Sequence, residues 1–207
     1  MFSDRQDAAN QLARKLKAYQ GKNPLVLGIP RGAVPMAKAV ASALGGEMDV
    51  VLVRKLHAPH QPEFAIGAID ESGTAFLNRS VSALGVSEAY LQDEKRTQME
   101  TLRRRRGQYA QVRASIDPAG RTVIVVDDGL ATGATMIAAL QSVRARHPAK
   151  LVCAVPVGPQ DTLARVAEFA DEVVCLETPD FFQAVGDHYR HFPQIEDHDV
   201  VELLKTS

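Results

Sequence analysis

The chain has 207 residues, of which 45% are hydrophobic and 24% are charged, and its formal net charge is -1 at pH 7. This composition excludes the disordered and fibrous classes, and a net charge so close to zero gives no reason to expect bulk attraction to nucleic acid. The length suits one α/β domain with a small appended subdomain better than it suits two domains.

The cysteines and the first residues of the chain bear on its cellular compartment. Cys153 and Cys175 each lie in an apolar, β-branched run typical of a buried strand, so a disulfide framework is not expected. Residues 1–16 carry charges every few positions and lack the apolar stretch of a signal peptide. No apolar run approaches the roughly 20 residues that span a bilayer. We therefore expect a cytoplasmic protein.

The first part of the sequence predicts a helix, a strand and a second helix. Ser3 and Asp4 are suitable N-cap residues for an amphipathic helix that ends near Gly21. The apolar residues 24–29 predict a strand, a tight turn follows, and Val34–Leu44 predicts a helix closed by two glycines.

The middle of the sequence predicts an insertion into the domain. Residues 48–54 indicate a second strand, followed by a loop rich in proline and histidine and by a hairpin with arms at residues 65–69 and 75–78. Residues 87–109 are strongly charged with few apolar positions, which predicts a long surface helix. We interpret residues 56–115 as the inserted segment.

The second half of the sequence alternates short apolar strands with helices. The strands are predicted at residues 122–126, 151–155 and 172–176, and the helices at residues 134–146 and 161–169. This alternation predicts an α/β fold, with a mostly parallel sheet covered by helices on both faces. A tail that contains prolines and aromatic residues closes the chain.

The apolar strand that begins at Thr122 ends in the carboxylates of Asp127 and Asp128. Two adjacent buried carboxylates are costly unless a cation or hydroxyl donors face them. The loop that follows is small enough for its backbone N–H groups to approach an anion at the start of a helix. Its residues are Ala131, Thr132, Gly133, Ala134 and Thr135. A site for hydroxyls and a cation beside a site for phosphate matches the two ends of a ribose 5-phosphate.

The segment 123–135 resembles the phosphoribosyl pyrophosphate (PRPP) signature of the type I phosphoribosyltransferase family, whereas the common P-loop and dinucleotide-binding motifs are absent. The resemblance extends along most of the chain, including residues 28–33, and is to a bacterial group known only as predicted phosphoribosyltransferases. Gly129 departs from the family pattern, which usually has an aliphatic residue or serine at this position. We expect this glycine to alter loop flexibility and to leave the acidic pair intact.

The resemblance implies a reaction in which ribose 5-phosphate passes from PRPP to a nucleobase-like nitrogen acceptor, with release of pyrophosphate and with Mg²⁺ as cofactor. Asp127 and Asp128 would contact the ribose hydroxyls and the metal, as catalytic and metal-binding residues, and residues 131–135 would hold the 5-phosphate. Arg31 and Gly32 stand in the family's pyrophosphate loop.

The family also has pyrophosphate contacts where Arg54 and Lys55 fall in this sequence, and Lys55 is a third catalytic candidate. A lid is expected in the loop that follows them, which contains His57, His60 and Glu63. The sequence identifies no general base.

The resemblance places a small hood at residues 177–195, together with the N-terminal region. Its aromatic side chains either stack on the acceptor or form a small satellite core. These residues are Phe181, Phe182, Tyr189 and Phe192. The expected partners are PRPP and the acceptor; a membrane or nucleic acid is not expected, and a homodimer is an open expectation because the family is often dimeric.

Residues 103–106 are four consecutive arginines near the end of the long helix. We favour a solvated helix face, and the other interpretation is a contact with phosphate or RNA. Some relatives of the family act as regulators that bind nucleic acid. A sensor that binds PRPP without turnover is therefore the alternative to an enzyme, and another transferase or a hydrolase on the same scaffold stays open.

Overall fold

The computed structural model describes residues 1–77, 81 and 85–206, without the side chains of Pro62 and Glu63. The strands in chain order are β1 (Leu25–Gly28), β2 (Glu47–Val50), β3 (Val53–Ala58), β4 (Gln61–Asp70), β5 (Ala75–Leu77), β6 (Thr122–Val126), β7 (Lys150–Val157) and β8 (Glu172–Glu177). The helices are α1 (Arg5–Lys15), α2 (Val34–Leu44), α3 (Glu88–Ala110), α4 (Ala134–Arg144), α5 (Gln160–Ala167) and α6 (Asp197–Lys205). Short 3-10 turns lie at Lys17–Tyr19 and Val185–His188.

Five parallel strands form the central sheet in the order β2-β1-β6-β7-β8. Successive residues of β6 enter two different cores: Ile124 packs with α1 and α2 on one face, and Val125 packs with α4 on the other. Because both faces are covered, β6 and β7 are almost continuously buried. The predicted α/β fold with helices on both faces of a parallel sheet is confirmed.

The segment after β2 differs from the prediction. The single strand predicted at residues 48–54 is wrong, because the chain leaves the central sheet after Val50 and begins a second sheet at Val53. That sheet is antiparallel, with the order β3-β4-β5. Most of the predicted proline- and histidine-rich loop is paired backbone of β3 and β4, and only a turn with His60 at φ 60 separates them. Asn78, the end of the predicted hairpin, lies outside the described residues.

The long helix α3 packs on this second sheet, and α6 packs on α2 and α3. Ser87 caps α3 by accepting the N–H of Tyr90, close to the predicted start. The sequence prediction missed α6, which begins with a capping box formed by Glu196 and Asp199 and buries Val200 and Leu204. None of the helices in the described ranges is long and apolar enough to cross a bilayer.

Candidate functional site

The candidate site lies at the carboxyl edge of the central sheet, where the loops after β1 and β6 meet. The two strands are neighbours, with Gly28 in register with Val126, so the turn at Arg31 and Gly32 lies beside Asp128. A Cβ atom on Gly32 would lie 2.2 Å from Oδ2 of Asp128. Only glycine allows this close approach. The peptide bond between Pro30 and Arg31 is cis.

Asp127 carries an uncompensated carboxylate at the base of the site. Burial and the neighbouring Asp128 carboxylate raise the pKa of Asp127 well above its ordinary value, against smaller opposing effects of Lys55 and Arg5. Oδ1 of Asp127 accepts the backbone N–H of Asp128 at 2.9 Å. No cationic side chain in the described part of the chain lies within ion-pair distance of Asp127. The carboxylate is therefore placed where a bound cation or a hydroxyl donor would stabilise its charge.

Asp128 has a partner that the sequence prediction missed, because Arg5 of α1 donates to its Oδ2 from Nε at 3.1 Å and from Nη2 at 2.8 Å. Nη1 of Arg5 donates to the carbonyl of Pro193 at 2.7 Å, and the guanidinium lies 3.8 Å from the ring centroid of Phe192. Burial raises the pKa of Asp128, and Arg5 limits the rise. A signal was present in the sequence: Arg5 is a charge on the apolar face of α1, one turn before Ala8 and Ala9.

The predicted phosphate loop, residues 131–135, follows the acidic pair and leads into α4. Gly133 has φ 73, and a Cβ atom there would lie 2.8 Å from Cγ2 of Thr162. The side chains of Thr162 and Arg165 in α5 donate to the carbonyls of Ala131 at 2.9 Å and of Thr132 at 3.2 Å. Because a trans peptide points its N–H opposite to its carbonyl, the N–H groups of the next residues point away from α5.

Several donors meet at this loop. The N–H groups at the start of α4, including those of Ala134 and Thr135, have no carbonyl acceptor within the helix. Among the described residues, the acceptor near them is Oγ1 of Thr132, at 3.5 Å from the N of Ala134. The loop therefore has the layout of an anion site, with the helix dipole behind it.

Arg31 lies in a cleft of about 400 Å³ with Gly32, Asp128, Arg5 and Phe192. Its Nη1 donates to Oε2 of Glu196, the N-cap residue of α6, at 2.8 Å. The predicted pyrophosphate loop and Asp128 therefore face the same cleft. The carboxylate that pairs with Arg31 caps a helix that the sequence prediction did not include.

Arg54 and Lys55 are adjacent in β3 and point to opposite faces of the second sheet. Lys55 lies with Thr132 and Ala134 along a groove of about 850 Å³ between that sheet and α4. Its charge acts on the pKa of Asp127. Arg54 faces α3, where its Nε donates to Gln98 at 2.9 Å. The structure thus brings Lys55 toward the acidic pair and places Arg54 across the strand from it.

The histidines of the predicted lid have different surroundings. The backbone N–H and Nδ1 of His57 both contact Oε1 of Glu94, at 3.0 and 2.8 Å. These contacts fasten β3 to α3. His60 is exposed in the turn, and the side chain of Glu63 lies outside the described residues.

The aromatic residues after β8 are split between core and surface. Tyr189 is buried between Phe2 and Phe192, at centroid distances of 5.5 and 4.8 Å, and its hydroxyl donates to the carbonyl of Asp128 at 2.7 Å. Phe182 stacks on His188, whereas Phe181 is 76% exposed. Tyr189 thus belongs to a small core that supports the acidic pair, and Phe192 lines the cleft.

Val185 explains the glycine at position 129. A Cβ atom on Gly129 would lie 2.6 Å from Cγ1 of Val185 and 3.0 Å from Cγ1 of Val157. The aliphatic residue or serine of the family pattern would therefore collide with the 3-10 turn. The glycine is required by packing between the end of β6 and this turn.

The sequence profile described as phosphoribosyl transferase domain matches residues 3–190, which is most of the chain. The chain belongs to the phosphoribosyl transferase domain family. The matched span contains the acidic pair, the phosphate loop and both loops with predicted pyrophosphate contacts. The cap of α6 that holds Arg31 lies beyond it.

Relatives of this phosphoribosyl transferase domain are found among curated proteins and solved structures. The chain is 48% identical over 205 residues to proteins from two strains of Mycobacterium tuberculosis, CDC 1551 and H37Rv, whose names propose a phosphoribosyl transferase and specify no substrate. The match covers 99% of this chain and 46% of theirs, so the chain spans about half the length of these relatives. The crystal structure of TT1426 from Thermus thermophilus is 43% identical, with a TM-score of 0.87 over 99% of this chain and 98% of that one.

Mg²⁺ is the cofactor that the family resemblance implies. No group of three or more His, Cys, Asp or Glu side chains is placed to hold a metal among the residues that the structure describes. Mg²⁺ is commonly held by one or two carboxylates together with waters and substrate phosphates. The adjacent carboxylates of Asp127 and Asp128 fit that type of binding, since Asp127 has no cationic partner of its own in the described residues.

Proposed function

We propose that this phosphoribosyl transferase domain binds PRPP with Mg²⁺ and transfers ribose 5-phosphate to a nucleobase-like nitrogen, with release of pyrophosphate. The observation that carries the proposal is the meeting of three groups at one sheet edge. These are the acidic pair after β6, the anion loop before α4 and the Arg31-Gly32 turn after β1. In this proposal they would provide separate contacts for the hydroxyls, the 5-phosphate and the pyrophosphate of one ligand.

In this proposal the loop at residues 131–135 holds the 5-phosphate. Backbone N–H groups, the hydroxyls of Thr132 and Thr135 and the dipole of α4 all favour an anion there. The bonds from Thr162 and Arg165 to the loop carbonyls fix these donors before the ligand arrives. Such preorganisation keeps the sugar in one position during the reaction at its anomeric carbon.

The acidic pair would accept hydrogen bonds from the ribose hydroxyls and hold the cation. When bound, Mg²⁺ would neutralise part of the charge of the pyrophosphate. The ligand would relieve the electrostatic cost of placing Asp127 beside Asp128, a cost shown by the raised pKa of Asp127. Tyr189 and Arg5 hold Asp128 in place through its carbonyl and carboxylate.

The bond from the anomeric carbon to pyrophosphate breaks, and its electron pair leaves with the pyrophosphate. The acceptor nitrogen uses its lone pair to form the new bond, and any proton on that nitrogen passes to solvent. Negative charge grows on the leaving pyrophosphate in this step. Arg31 lines the cleft that contains Asp128, and Lys55 lines the groove beside the anion loop. They would stabilise the transition state more than the ground state, which is the requirement for catalysis.

A cytoplasmic location and a homodimer stay predictions.

The ion pair between Arg5 and Asp128 favours a second candidate function, a sensor that binds PRPP without turnover. Arg5 already neutralises one of the two carboxylates, so the site binds a cation less strongly than two free carboxylates would. A sensor needs only to bind the sugar phosphate, with or without the metal. Release of pyrophosphate distinguishes the two functions.

Isothermal titration calorimetry with PRPP, in the presence and absence of Mg²⁺, tests the site. We expect binding that requires Mg²⁺ and that is lost in the double variant Asp127→Asn/Asp128→Asn. Asp93→Asn is the matched control, because Asp93 is an exposed aspartate on α3 and lines neither the cleft nor the groove. Unchanged affinity in the double variant would contradict the site assignment, and absence of binding by the wild type would contradict the function.

Turnover is then tested by pyrophosphate release with purine, pyrimidine and pyridine bases. Release with at least one base, lost in the double variant, is the expected result. Binding of PRPP without release on any base would favour the sensor.

A further inference from the structure

The groove between the second sheet and α4 is larger than a phosphate group on the anion loop requires. Its volume of about 850 Å³ is in the range of sites that bind small organic molecules. Thr132 and Ala134 of the anion loop line it, and its lining continues along α4 to Gln141. Among the described residues, none lines both the groove and the cleft of Arg31 and Asp128. The groove therefore has room for a chemical group beyond the phosphate, outside the cleft.

One face of the second sheet forms the first wall of the groove. The strand register places Lys55, Ala68 and Phe76 side by side on β3, β4 and β5. Because directly paired residues point to the same face of a sheet, these three side chains line the groove together. Neighbouring strands lie about 4.8 Å apart, so the backbones of Lys55 and Phe76 are about 10 Å apart. This wall has a cation at one edge, an aromatic ring at the other and a methyl group between them.

Helix α4 forms the opposite wall. The α4 residues that line the groove recur at the spacing of one helix face, and they are Ala134, Ile137, Ala138 and Gln141. Ala138 is buried, whereas Ile137 is partly exposed and packs on the core beneath it. Because Ala68 and Ala138 have small side chains, the two walls leave open space between them.

Large apolar side chains also line the groove. Phe64 and Leu77 are 45% and 42% exposed, and both belong to its lining, as does the partly buried Phe169. Single exposed apolar side chains are normal on a protein surface, but a contiguous group of them marks a binding site. The groove therefore offers a bound molecule an apolar surface beside the anion loop.

Two cations line the groove, and one of them contacts the anion loop. Nη2 of Arg165 donates to the carbonyl of Thr132 and to Oγ1 of Thr162, at 3.2 Å in both cases. In the described part of the chain, neither Arg165 nor Lys55 has a carboxylate within ion-pair distance. Glu168 also lines the groove, but it is exposed, so water screens its charge. The groove therefore favours an anionic group at the loop and an apolar group beside it.

From this combination we propose that the groove binds a phosphate ester that carries an aromatic group. The phosphate lies on the anion loop near Lys55 and Arg165, and the aromatic group lies between Phe76 and Ile137, where it stacks on the phenyl ring. The proposal rests on the proposed function only through the anion loop. It goes beyond that function, because ribose 5-phosphate has no group beyond its phosphate that could fill the groove. The ester has two sources, a separate aromatic phosphate or a sugar ligand whose own 5-phosphate carries the aromatic group.

A second copy of the chain is the competing occupant of the groove. An anionic small molecule fits better, because a protein surface over the groove would also cover Lys55 and Arg165, which lack carboxylate partners among the described residues. Sedimentation velocity decides between these occupants. Phe64→Ser is expected to leave the oligomeric state unchanged, and dissociation of a homodimer by this variant would assign the groove to a second copy and overturn the proposal.

The main test compares 1-naphthyl phosphate with methyl phosphate by calorimetric titration in magnesium-free buffer at pH 8. Both esters carry about two negative charges there, and only the first has an aromatic group. The wild type is expected to bind 1-naphthyl phosphate at least about tenfold more tightly, because the buried ring adds hydrophobic and aromatic contacts. Equal affinities, or no binding of 1-naphthyl phosphate, would overturn the proposal.

Two substitutions change the walls of the groove and leave the anion loop intact. Phe76→Leu keeps an apolar side chain and removes the ring, and Ile137→Gln removes an apolar side chain from α4. Each is expected to lower the affinity ratio of 1-naphthyl to methyl phosphate at least about threefold. The methyl phosphate affinity should stay the same, which shows that the variant is folded and its loop is intact.

Phe181→Leu is the matched control, because Phe181 is 76% exposed and lies outside the lining of the groove. We expect the affinity ratio of the two esters to be the same in this variant as in the wild type. A ratio that is unchanged in both groove variants, or that falls equally in Phe181→Leu, would overturn the proposal.

ADP-ribose identifies the source of the ester, because it is a ribose 5-phosphate whose phosphate carries a further phosphate and adenosine. Tighter binding than ribose 5-phosphate, with a smaller difference in Phe76→Leu, means that the sugar ligand itself carries the aromatic group. Equal binding of the two sugars means a separate ester; both results support the groove. Failure of PRPP to bind would contradict the proposed function, while the ratio of the two esters still decides the groove. PRPP binding together with equal affinities for the two esters would leave the function in place and overturn the groove proposal.

Discussion

The carboxyl edge of the central sheet and the arginine-rich layer formed by β3, α3 and α6 are built in opposite ways. At the sheet edge, the acidic pair and the phosphate loop come from one short stretch of sequence, and many of the donors are backbone groups. In the arginine-rich layer, the polar contacts join side chains that come from three separated elements. Local sequence therefore determines the first region, whereas packing determines the second.

Charge is balanced differently in the two regions. Among the described residues, Asp127 has no cationic side chain within ion-pair distance at the sheet edge. In the same part of the chain, Arg54 has no carboxylate within that distance, although the charge of Glu94 raises its pKa against the larger lowering effects of burial and Arg105. The Arg31-Gly32 turn approaches Asp128 through Gly32 and contacts the cap of α6 through Arg31.

The largest expected effect at the sheet edge comes from Gly32→Ala. The new Cβ atom would lie 2.2 Å from Oδ2 of Asp128 and push the carboxylate or the turn aside. We expect PRPP affinity to fall by at least about 100-fold, because displacements near 1 Å cost that much in positioned sites. Calorimetry measures the affinity. Gly107→Ala on α3 has open space around it and is the control; equal affinities in the two variants would show that the turn does not position the ligand.

Thr132→Phe is expected to have the next largest effect. The exposed side chain of Thr132 borders the N–H groups at the start of α4, and a phenyl ring there would fill the space of the 5-phosphate. PRPP and ribose 5-phosphate should both bind about 10- to 100-fold more weakly, while the pyrophosphate affinity in magnesium-free buffer stays the same. Thr97→Phe on the exposed face of α3 is the control. Retained ribose 5-phosphate binding would place the phosphate elsewhere.

Asp127→Asn should stabilise the ligand-free protein while it weakens ligand binding. The pKa of Asp127 is higher in the folded protein than in the unfolded chain. The free energy of unfolding therefore falls as the pH rises through the range between these two pKa values. Asparagine keeps the acceptor for the N–H of Asp128 and removes the charge. At pH 7 we therefore expect Asp127→Asn to have a higher free energy of unfolding and a higher Tm than the wild type. A lower Tm in thermal unfolding would show that the charge is compensated in the folded protein.

Glu196→Gln is expected to have the smallest effect. Unlike the other substitutions, it should strengthen the binding of an anionic ligand. Glu196 holds Nη1 of Arg31 at 2.8 Å in the ligand-free protein, so its carboxylate competes with an anionic ligand. Glutamine keeps a capping oxygen for α6 and removes the charge. Pyrophosphate affinity should rise about twofold to fivefold, and Glu202→Gln on the exposed part of α6 is the control. Weaker binding by Glu196→Gln would show that the carboxylate orients Arg31 and does not compete with the ligand.

Errors in the sequence prediction cluster in the arginine-rich layer. Proline and histidine around His57 and His60 indicated a loop, but paired backbone in β3 and β4 overrides these local signals. The helix α6 was missed because the aromatic and proline-containing segment before it favoured an irregular tail, although the spacing of Val200 and Leu204 fits a helix. In both cases contacts distant in sequence decide the local structure.

The sequence by itself determined the parallel sheet, the phosphoribosyl transferase signature and the position of the acidic pair. β-Branched runs, glycine turns and helix starts are local features, and parallel strands bring their carboxyl ends to one edge. Only the tertiary structure decided that Arg5 pairs with Asp128 across 123 residues and that Arg31 pairs with Glu196 across 165. No local pattern encodes such contacts, because they depend on how helices far apart in the chain pack against each other.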